Sequence, residues 1–144
     1  MKIGEVIVTY NRIMKLEEAL LRFNNQTFLP DYVLVVNNAS TDGTDALLEK
    51  WEKCKNSNYK RYVVNCKYNT GGSGGFYTAL SQATELEADW IWVSDDDAFP
   101  EDDVLKKVKN YITEHKRERI TAICTKVCNH GEIDLAQRRR IKKG

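Results

Sequence analysis

Short apolar runs alternate along the chain with segments in which apolar side chains recur every three or four residues. Runs of strand length fall at residues 3–9, 32–36, 61–66, 90–93 and 120–127, and a short last one at 132–136. Between them, helical spacing predicts amphipathic helices through residues 16–23, 47–51, 80–86 and 104–112. This alternation predicts an α/β fold, a mostly parallel sheet with helices on both faces.

The composition is that of one globular domain. The 144 residues are 42% hydrophobic and 30% charged, which suffices for a buried core. The net charge is +1, but five basic residues lie in the last seven positions, so the rest of the chain is mildly acidic. An acidic body argues against nucleic-acid binding. We therefore predict a domain over residues 1–137 and a solvated basic tail over 138–144.

Neither a signal peptide nor a membrane span is expected. The apolar run at the start of the chain is too short to cross a bilayer. The four cysteines do not have the spacing of a disulfide scaffold. Cys124, Cys128 and His130 could suggest zinc, but buried strand cysteines are the favoured interpretation. We expect a cytoplasmic location, with the inner face of the membrane as a further option.

Three consecutive carboxylates follow the fourth predicted strand, at Asp95, Asp96 and Asp97. Because strand side chains alternate, Asp95 and Asp97 are expected to point one way and Asp96 the other. Two carboxylates on one side favour a hard divalent cation, Mg²⁺ or Mn²⁺, that keeps positions open for water and phosphates. The alternative is a solvated acidic turn before the next helix, which suits residues 101–103.

A glycine-rich segment follows the third strand. It contains Gly71, Gly72, Gly74 and Gly75, which allow positive φ and a close approach of the backbone to a ligand. The helix that follows could receive phosphate or sugar hydroxyls, whereas the alternative is a flexible turn. The segment matches neither G-x-G-x-x-G nor a P-loop, which argues against dinucleotide oxidoreductases and P-loop NTPases.

Polar residues also follow the first two strands. The amide of Asn37 can bond the edge of a base, and Thr9 and Tyr10 could close over the same ring. Arg12 could face a diphosphate. The alternatives are a turn amide bonding its own backbone for Asn37 and Asn38, and a surface arginine. Because the carboxyl ends of parallel strands share one edge, all these segments are predicted to meet there.

Together these segments resemble the nucleotide-binding half of a family 2 glycosyltransferase with the Rossmann-like GT-A fold. The resemblance runs in order through residues 8–12, 35–44, 69–76 and 95–98. The glycine-rich segment is similar to that of the rhamnosyl- and galactofuranosyl-transferase branch. The resemblance implies an inverting, Mn²⁺- or Mg²⁺-dependent transfer from a UDP- or dTDP-linked sugar to a saccharide or lipid-linked acceptor, in cell-wall or capsule polysaccharide synthesis.

The resemblance also implies roles for single residues. Asp95 and Asp97 would hold the metal, Asp95 could instead meet the ribose, and Thr9 and Asn37 would contact the base. The implied donor-binding set is Thr9, Tyr10, Arg12, Asn37, Asn38, Asp42, Asn69, Gly71, Gly72, Gly74, Gly75, Asp95 and Asp96. Family members usually carry Asp where Asn37 stands, so this hydrogen bond would lose its charge assistance.

The resemblance places the acceptor half and its general base beyond residue 144, so this chain is expected to be the donor-binding half. Glu132, Asp134 and His130 are candidates for the missing groups by position alone. Two other functions stay open: a non-catalytic nucleotide-binding module, and a haloacid-dehalogenase-like phosphatase with Asp95 as nucleophile. Phe99 and the place of the motif after the fourth strand argue against the phosphatase.

Overall fold

The computed structural model describes residues 1–55, 57–129 and 131–133, and within them four parallel strands form the central sheet. The strands are β1 (Ile3–Thr9), β2 (Tyr32–Asn37), β3 (Lys60–Asn65) and β4 (Trp90–Asp95). Their order across the sheet is β3-β2-β1-β4. β1 and β2 are buried along their whole lengths, as expected of central strands covered on both faces.

Helices cover both faces of this sheet, as predicted. The described helices are α1 (Ile13–Asn24), α2 (Thr44–Lys53), α3 (Gly71–Glu85) and α4 (Val104–Glu114), and the first three pack on the sheet. On one face, Leu16 and Phe23 of α1 and Leu48 of α2 pack in one cluster with Ile7 and Val35. The opposite face carries α3, whose small residues Ala79 and Ala83 pack in a second cluster with Val6, Val8, Leu34 and Val36. Burying one leucine- or phenylalanine-sized side chain stabilises the fold by about 1.5–3 kcal/mol.

The order of the strands reverses at β1. The chain steps from β1 to β2 to β3 in one direction and then returns to place β4 on the other side of β1. In a parallel sheet this reversal opens a crevice at the carboxyl ends of the two strands beside it. The fold therefore predicts a binding site between the ends of β1 and β4.

Two compact units divide the chain, the first over residues 1–109 and the second from residue 110 onward. In the second unit, β5 (Cys128–Asn129) and β6 (Glu132–Ile133) pair antiparallel. The strand predicted at residues 120–127 is wrong, because that segment is irregular and exposed or half-buried. Strand propensity depends on packing against a neighbouring strand, and the described residues provide none for this segment. The remainder of the predicted last strand, residues 134–136, and the basic tail lie outside the described residues.

The cysteines of the second unit also differ from expectation. Cys124 and Cys128 are exposed free thiols, so neither is buried, although Cys128 lies in β5. The expectation failed because the apolar run that contains Cys124 is not buried as a strand. In the described part of the chain, no helix has the length and apolar character needed to cross a membrane.

Candidate functional site

The four strands of the sheet end in polar residues along one edge, which we call the carboxyl edge. β1 ends at Thr9, β2 at Asn37, β3 at Asn65 and β4 at Asp95. The register places Thr9 opposite Asn37 and Asn37 opposite Asn65, and it places Asp95 opposite Val8. The polar strand ends thus lie side by side, as the fold-level rule predicted.

Thr9 and Asp96 connect β1 to the segment that follows β4. The Thr9 hydroxyl donates to Asp96 Oδ2 at 2.7 Å, and both side chains are buried. Burial raises the pKa of Asp96, although the hydrogen bond from Thr9 and the charge of Arg12 act in the opposite direction. Asp96 is therefore a buried anchor at the crevice between β1 and β4.

The guanidinium of Arg12 bridges Asp96 and Asp97. Its Nη1 lies 3.3 Å from Asp96 Oδ1 and 2.8 Å from Asp97 Oδ2. The charges of Asp96 and Asp97 raise the pKa of Arg12, so this side chain is cationic at every physiological pH. The backbone of Arg12 is held in place, because its carbonyl accepts the Leu16 amide at 3.0 Å at the start of α1. The structure therefore places a positive charge beside the predicted metal ligands.

Exposure alternates through the end of β4 and the three carboxylates. Ser94 and Asp96 are buried, whereas Asp95 and Asp97 are exposed. This is the alternation that the strand geometry predicted. The Asp97 carboxylate pairs with Arg12. Among residues 1–55, 57–129 and 131–133, the Asp95 carboxylate has no hydrogen-bond partner, so it is available to a ligand.

The carboxylates supply only part of a metal site. No three His, Cys, Asp or Glu side chains in the described part of the chain are grouped to hold a metal ion. A Mg²⁺-like ion keeps several waters and takes further oxygens from substrate phosphates. Two exposed carboxylates fit an ion of that kind, and Asp97 already binds a cationic group, the guanidinium of Arg12.

The loops after β1 and β2 are braced against each other. The Asn11 side chain accepts the Thr41 amide at 2.7 Å, and the Asn11 amide donates to Ser40 Oγ at 3.0 Å. Asn11 and Ala39 both adopt left-handed backbone conformations, with φ of 50° and 64°. Such conformations are disfavoured for residues with a Cβ and concentrate at functional sites. The brace therefore fixes the shape of the loops that flank the crevice.

Asp42 serves the same brace. Its Oδ2 accepts the amide of Ile13, the first residue of α1, at 2.9 Å. Its Oδ1 accepts the hydroxyl of Thr44, the first residue of α2, at 2.6 Å. Desolvation acts to raise the pKa of Asp42, but the hydrogen bonds from Thr44 and Ile13 outweigh it and lower the pKa. The geometry thus gives Asp42 a structural task, and contact with a donor stays a prediction.

Asn37 is engaged by the protein on both sides of its amide. Its Nδ2 donates to Asn65 Oδ1 at 2.9 Å, and its Oδ1 accepts the Ser40 amide at 3.0 Å. The second contact is the turn bond that the alternative interpretation expected. An amide oxygen has two lone pairs, so the Asn37 oxygen keeps one; the side chain is buried, and its contact with a base stays a prediction.

Asn38 ties the loop after β2 to the glycine-rich segment. Its Nδ2 donates to Asn69 Oδ1 at 2.9 Å and to the Gly71 carbonyl at 3.0 Å. Its Oδ1 accepts the Thr70 amide at 3.1 Å. Asn69 in turn accepts the Gly71 amide at 2.7 Å. Asn38 is buried, so its described role is to position the first turn of α3.

The glycine-rich segment is part of α3, not a loop that precedes it. The helix begins at Gly71, and Gly71 is the one of the four glycines with a positive φ, at 72°. A positive φ therefore does not explain why the other three positions are glycine. A Cβ on Gly75 would lie 2.5 Å from Val8 Cγ1, and one on Gly74 would lie 2.4 Å from the Thr70 side chain. Gly74 and Gly75 thus allow α3 to approach β1 and its own cap closely, and Gly71 and Gly72 adjoin open space.

The described structure does not identify a general base. Glu132 is exposed in β6, in the second unit. His130 and Asp134 lie outside the described residues. Tyr10 is exposed after β1, so its ring is accessible to a ligand at the carboxyl edge.

One polar pair near the site was not predicted. Glu5 lies in the middle of β1 with no exposed surface, and its Oε1 accepts the Ser94 hydroxyl at 2.6 Å. Its Oε2 has no hydrogen-bond partner among the described residues. Desolvation raises the pKa of Glu5 well above its ordinary value, against the smaller effect of the Ser94 bond. The sequence feature that could have indicated this pair is a charged residue, Glu5, within an otherwise apolar strand.

Comparison with solved structures confirms the GT-A fold. The chain aligns with S. aureus TarS in complex with UDP at a TM-score of 0.68 and 29% identity, and the alignment covers 81% of this chain and 33% of TarS. It aligns with the mannosyltransferase PcManGT from Pyrobaculum calidifontis, in complex with GDP-Man and Mn²⁺, at a TM-score of 0.67 and 26% identity. That alignment covers 77% of this chain and 32% of PcManGT. The fold and the edge residues thus define a GT-A domain.

The sequence comparisons give the family. The family model for glycosyl transferase family 2 matches residues 6–140, so the chain belongs to that family. It is 31% identical over 125 residues to the galactofuranosyltransferase GlfT1 of Mycolicibacterium smegmatis. This alignment covers 86% of this chain and 38% of GlfT1. The chain spans about a third of the length of the relatives that it matches.

Proposed function

We propose that the carboxyl edge binds a nucleotide-diphospho-sugar with Mn²⁺ or Mg²⁺, and that this chain is the donor-binding part of an inverting glycosyltransferase. The observation that carries the proposal is the cluster of Thr9, Arg12, Asp96 and Asp97 at the crevice between β1 and β4. This is where the fold favours ligand binding, and the cluster combines the Arg12 guanidinium, the exposed carboxylate of Asp97 and the buried anchor Asp96.

The exposed carboxylates would hold the cation. Asp95 and Asp97 lie on the exposed side of the segment, and the ion would complete its shell with water and diphosphate oxygens. When bound, the cation supplies Lewis-acid stabilisation of the negative charge that develops on the departing diphosphate. Arg12 offers a fork of N–H donors that matches a phosphate.

The nucleoside would lie along the ends of β1 and β2. The Asn37 oxygen keeps a lone pair for a ring N–H, and the exposed Tyr10 ring could cover the base. The first turn of α3 would lie near the sugar, where Gly71 and Gly72 leave open space. Thr9 is buried against Asp96, so we assign it a positioning role beneath the base.

The relatives support this class of donor. The solved neighbours carry UDP, UDP-GlcNAc, or GDP-Man with Mn²⁺. The sequence relatives include a galactofuranosyltransferase and an abequosyltransferase. We infer a UDP- or dTDP-linked sugar and an acceptor hydroxyl of a saccharide or lipid-linked saccharide. Attack on the face opposite the diphosphate would invert the anomeric carbon, with a general base that is not identified among the described residues.

Calorimetric titration tests the proposal. UDP, dTDP and GDP would be titrated into the protein in Mn²⁺ and, separately, in a chelator. We expect saturable binding of at least one nucleoside diphosphate that weakens at least tenfold in the chelator. Absence of metal-dependent binding of all three would overturn the proposal.

A non-catalytic nucleotide-binding module is the second candidate, because the described residues contain no identified base. Slow hydrolysis of a bound UDP-sugar in Mn²⁺, abolished by Asp97→Ala, would favour the transferase. Binding with no turnover would be compatible with both candidates, because no general base is identified among the described residues. The family match removes the support for a haloacid-dehalogenase-like phosphatase.

A further inference from the structure

We propose that Arg12 is a built-in competitor of the divalent cation: its guanidinium must leave Asp97 before the cation can use this carboxylate, and it then turns to the diphosphate. The inference rests on the proposed function and adds a regulatory linkage between the cation and the nucleotide. It would make the site bind the cation poorly without a nucleotide.

The first argument is the geometry of the ion pair. Arg12 Nη1 lies 2.8 Å from Asp97 Oδ2, which is a direct charge-assisted hydrogen bond. A cation bound to the same carboxylate would lie within a few ångströms of the guanidinium, and two like charges at that distance repel. The Arg12–Asp97 pair and a cation on Asp97 therefore oppose each other.

The second argument is that Arg12 can move while its backbone stays fixed. Its carbonyl is bonded into the first turn of α1, whereas 54% of its side chain is exposed. Of the two carboxylates that the guanidinium contacts, the Asp97 side chain is 49% exposed and the Asp96 side chain is 5% exposed. The Thr9 hydroxyl donates to Asp96 Oδ2, whereas Arg12 contacts Oδ1, so Asp96 keeps one hydrogen bond when the guanidinium turns away.

The third argument is charge balance. A divalent cation at Asp95 and Asp97 leaves Arg12 without its exposed partner, and the diphosphate of a donor provides a new one in bidentate geometry. Arg12 should therefore weaken binding of the cation alone and strengthen binding of the nucleotide when the cation is present. Because such linkage is reciprocal, nucleotide and cation should bind more cooperatively in the unaltered protein than in a variant that lacks the Arg12 guanidinium.

The test measures both affinities in Arg12→Gln. Mn²⁺ alone would be titrated into the protein and followed by the electron paramagnetic resonance of the free ion. UDP would be titrated calorimetrically in saturating Mn²⁺. We expect Mn²⁺ alone to bind about two- to fivefold more tightly than in the unaltered protein, the range of an exposed ion pair. We expect UDP to bind about tenfold more weakly or worse, because a hydrogen bond to a charged group is lost.

Lys15→Gln is the matched control. It removes one positive charge from the first turn of α1, which Arg12 precedes. The Lys15 ammonium lies 5.2 Å from the centre of the Phe99 ring and forms no ion pair within the described residues. If both variants tighten Mn²⁺ binding equally, the effect is the general field of the helix, and the proposal is overturned. Circular dichroism would establish that each variant is folded.

The outcomes separate this inference from the proposed function. Metal-dependent UDP binding in the unaltered protein, with unchanged or weaker Mn²⁺ binding in Arg12→Gln, overturns the competitor role alone. Absence of metal-dependent nucleotide binding in every variant overturns both. Should Arg12→Gln not fold, the Arg12 side-chain N–H resonances of the unaltered protein serve instead. These resonances should shift on addition of UDP with Mg²⁺. If they do not shift, the proposed move of Arg12 from Asp97 to the diphosphate is contradicted.

Discussion

Thr9 and Asp96 meet across the seam between β1 and β4, where a buried hydroxyl donates to a buried carboxylate at 2.7 Å. This contact holds the acidic segment after β4 against the central strand of the sheet. Arg12 approaches the same carboxylate from the start of α1. The position of the exposed Asp97 therefore depends on two residues of the segment that joins β1 to α1.

Thr9→Val should destabilise the protein by about 1–3 kcal/mol, because the isosteric change leaves a buried acceptor on Asp96 without its donor. Denaturation in urea at neutral pH measures the free energy of unfolding. Thr84→Val is the control, since the Thr84 hydroxyl bonds the Ser81 carbonyl at an exposed helix position. Its effect should be within about 0.5 kcal/mol. Equal losses in the two variants would contradict a special role for the Thr9–Asp96 contact.

Glu5 should make the stability of the protein fall as the pH rises above 4.5, the ordinary pKa of a glutamate side chain. Its pKa is raised in the folded state, so in this range the folded protein binds more protons than the unfolded one. Stability is fully present below 4.5 and is lost as pH rises toward the folded pKa. One such proton contributes a slope of up to about 1.4 kcal/mol per pH unit.

Glu5→Gln should flatten this slope, and urea denaturation at half-unit steps from pH 5 to pH 8 measures it. Glu17→Gln, at an exposed position of α1, is the control and should leave the slope unchanged. Asp96 contributes in the same direction, because its pKa is also raised, so a part of the slope should persist. Identical slopes in Glu5→Gln and the unaltered protein would show that Glu5 does not carry the effect.

Gly75→Ala should destabilise the protein by about 1–3 kcal/mol, because the new Cβ overpacks the contact between α3 and β1. The Cβ would lie 2.5 Å from Val8 Cγ1. Adding Val8→Ala should recover a part of the loss, although it removes a buried side chain. Gly72→Ala, which adjoins open space, should cost less. Thermal unfolding of the unaltered protein, of Gly75→Ala, Val8→Ala and Gly72→Ala, and of the double variant checks this. A double variant no more stable than the sum of its two single changes predicts would contradict the clash.

Asp97→Ala should abolish the metal-dependent part of UDP binding while the fold stays intact, because the change removes an exposed carboxylate. Asp103→Ala is the matched control: Asp103 pairs with Lys107 at 2.8 Å near the start of α4. Calorimetry in Mn²⁺ measures both. Retention of metal-dependent binding in Asp97→Ala, or its equal loss in Asp103→Ala, would argue against Asp97 as a metal ligand.

Local periodicity was sufficient to predict the sheet and its helices. Alternating apolar runs gave all four parallel strands, and apolar residues at helical spacing gave the four helices, because both patterns reflect burial on a face. The segment at residues 120–127 has the same composition but is irregular, since a sequence window does not show whether a partner strand is available.

The gathering of polar segments at the carboxyl edge was also predictable, because it follows from parallel topology alone. Contacts between distant residues were not. Asp96 lies 87 positions from Thr9, and Asp42 lies 29 positions from Ile13. The structural use of Asn38 and Asp42 therefore emerged only when the loops were brought together. The same holds for Gly75, whose neighbour Val8 comes from another strand.

The position of the cation tests the account most directly. Crystals grown with Mn²⁺ and UDP would be measured at a wavelength where manganese scatters anomalously. We predict an anomalous peak within about 2.5 Å of a carboxylate oxygen of Asp97, next to the diphosphate, with Arg12 turned from Asp97 toward the phosphates. A peak elsewhere, or UDP bound with no manganese at the end of β4, would contradict the assignment.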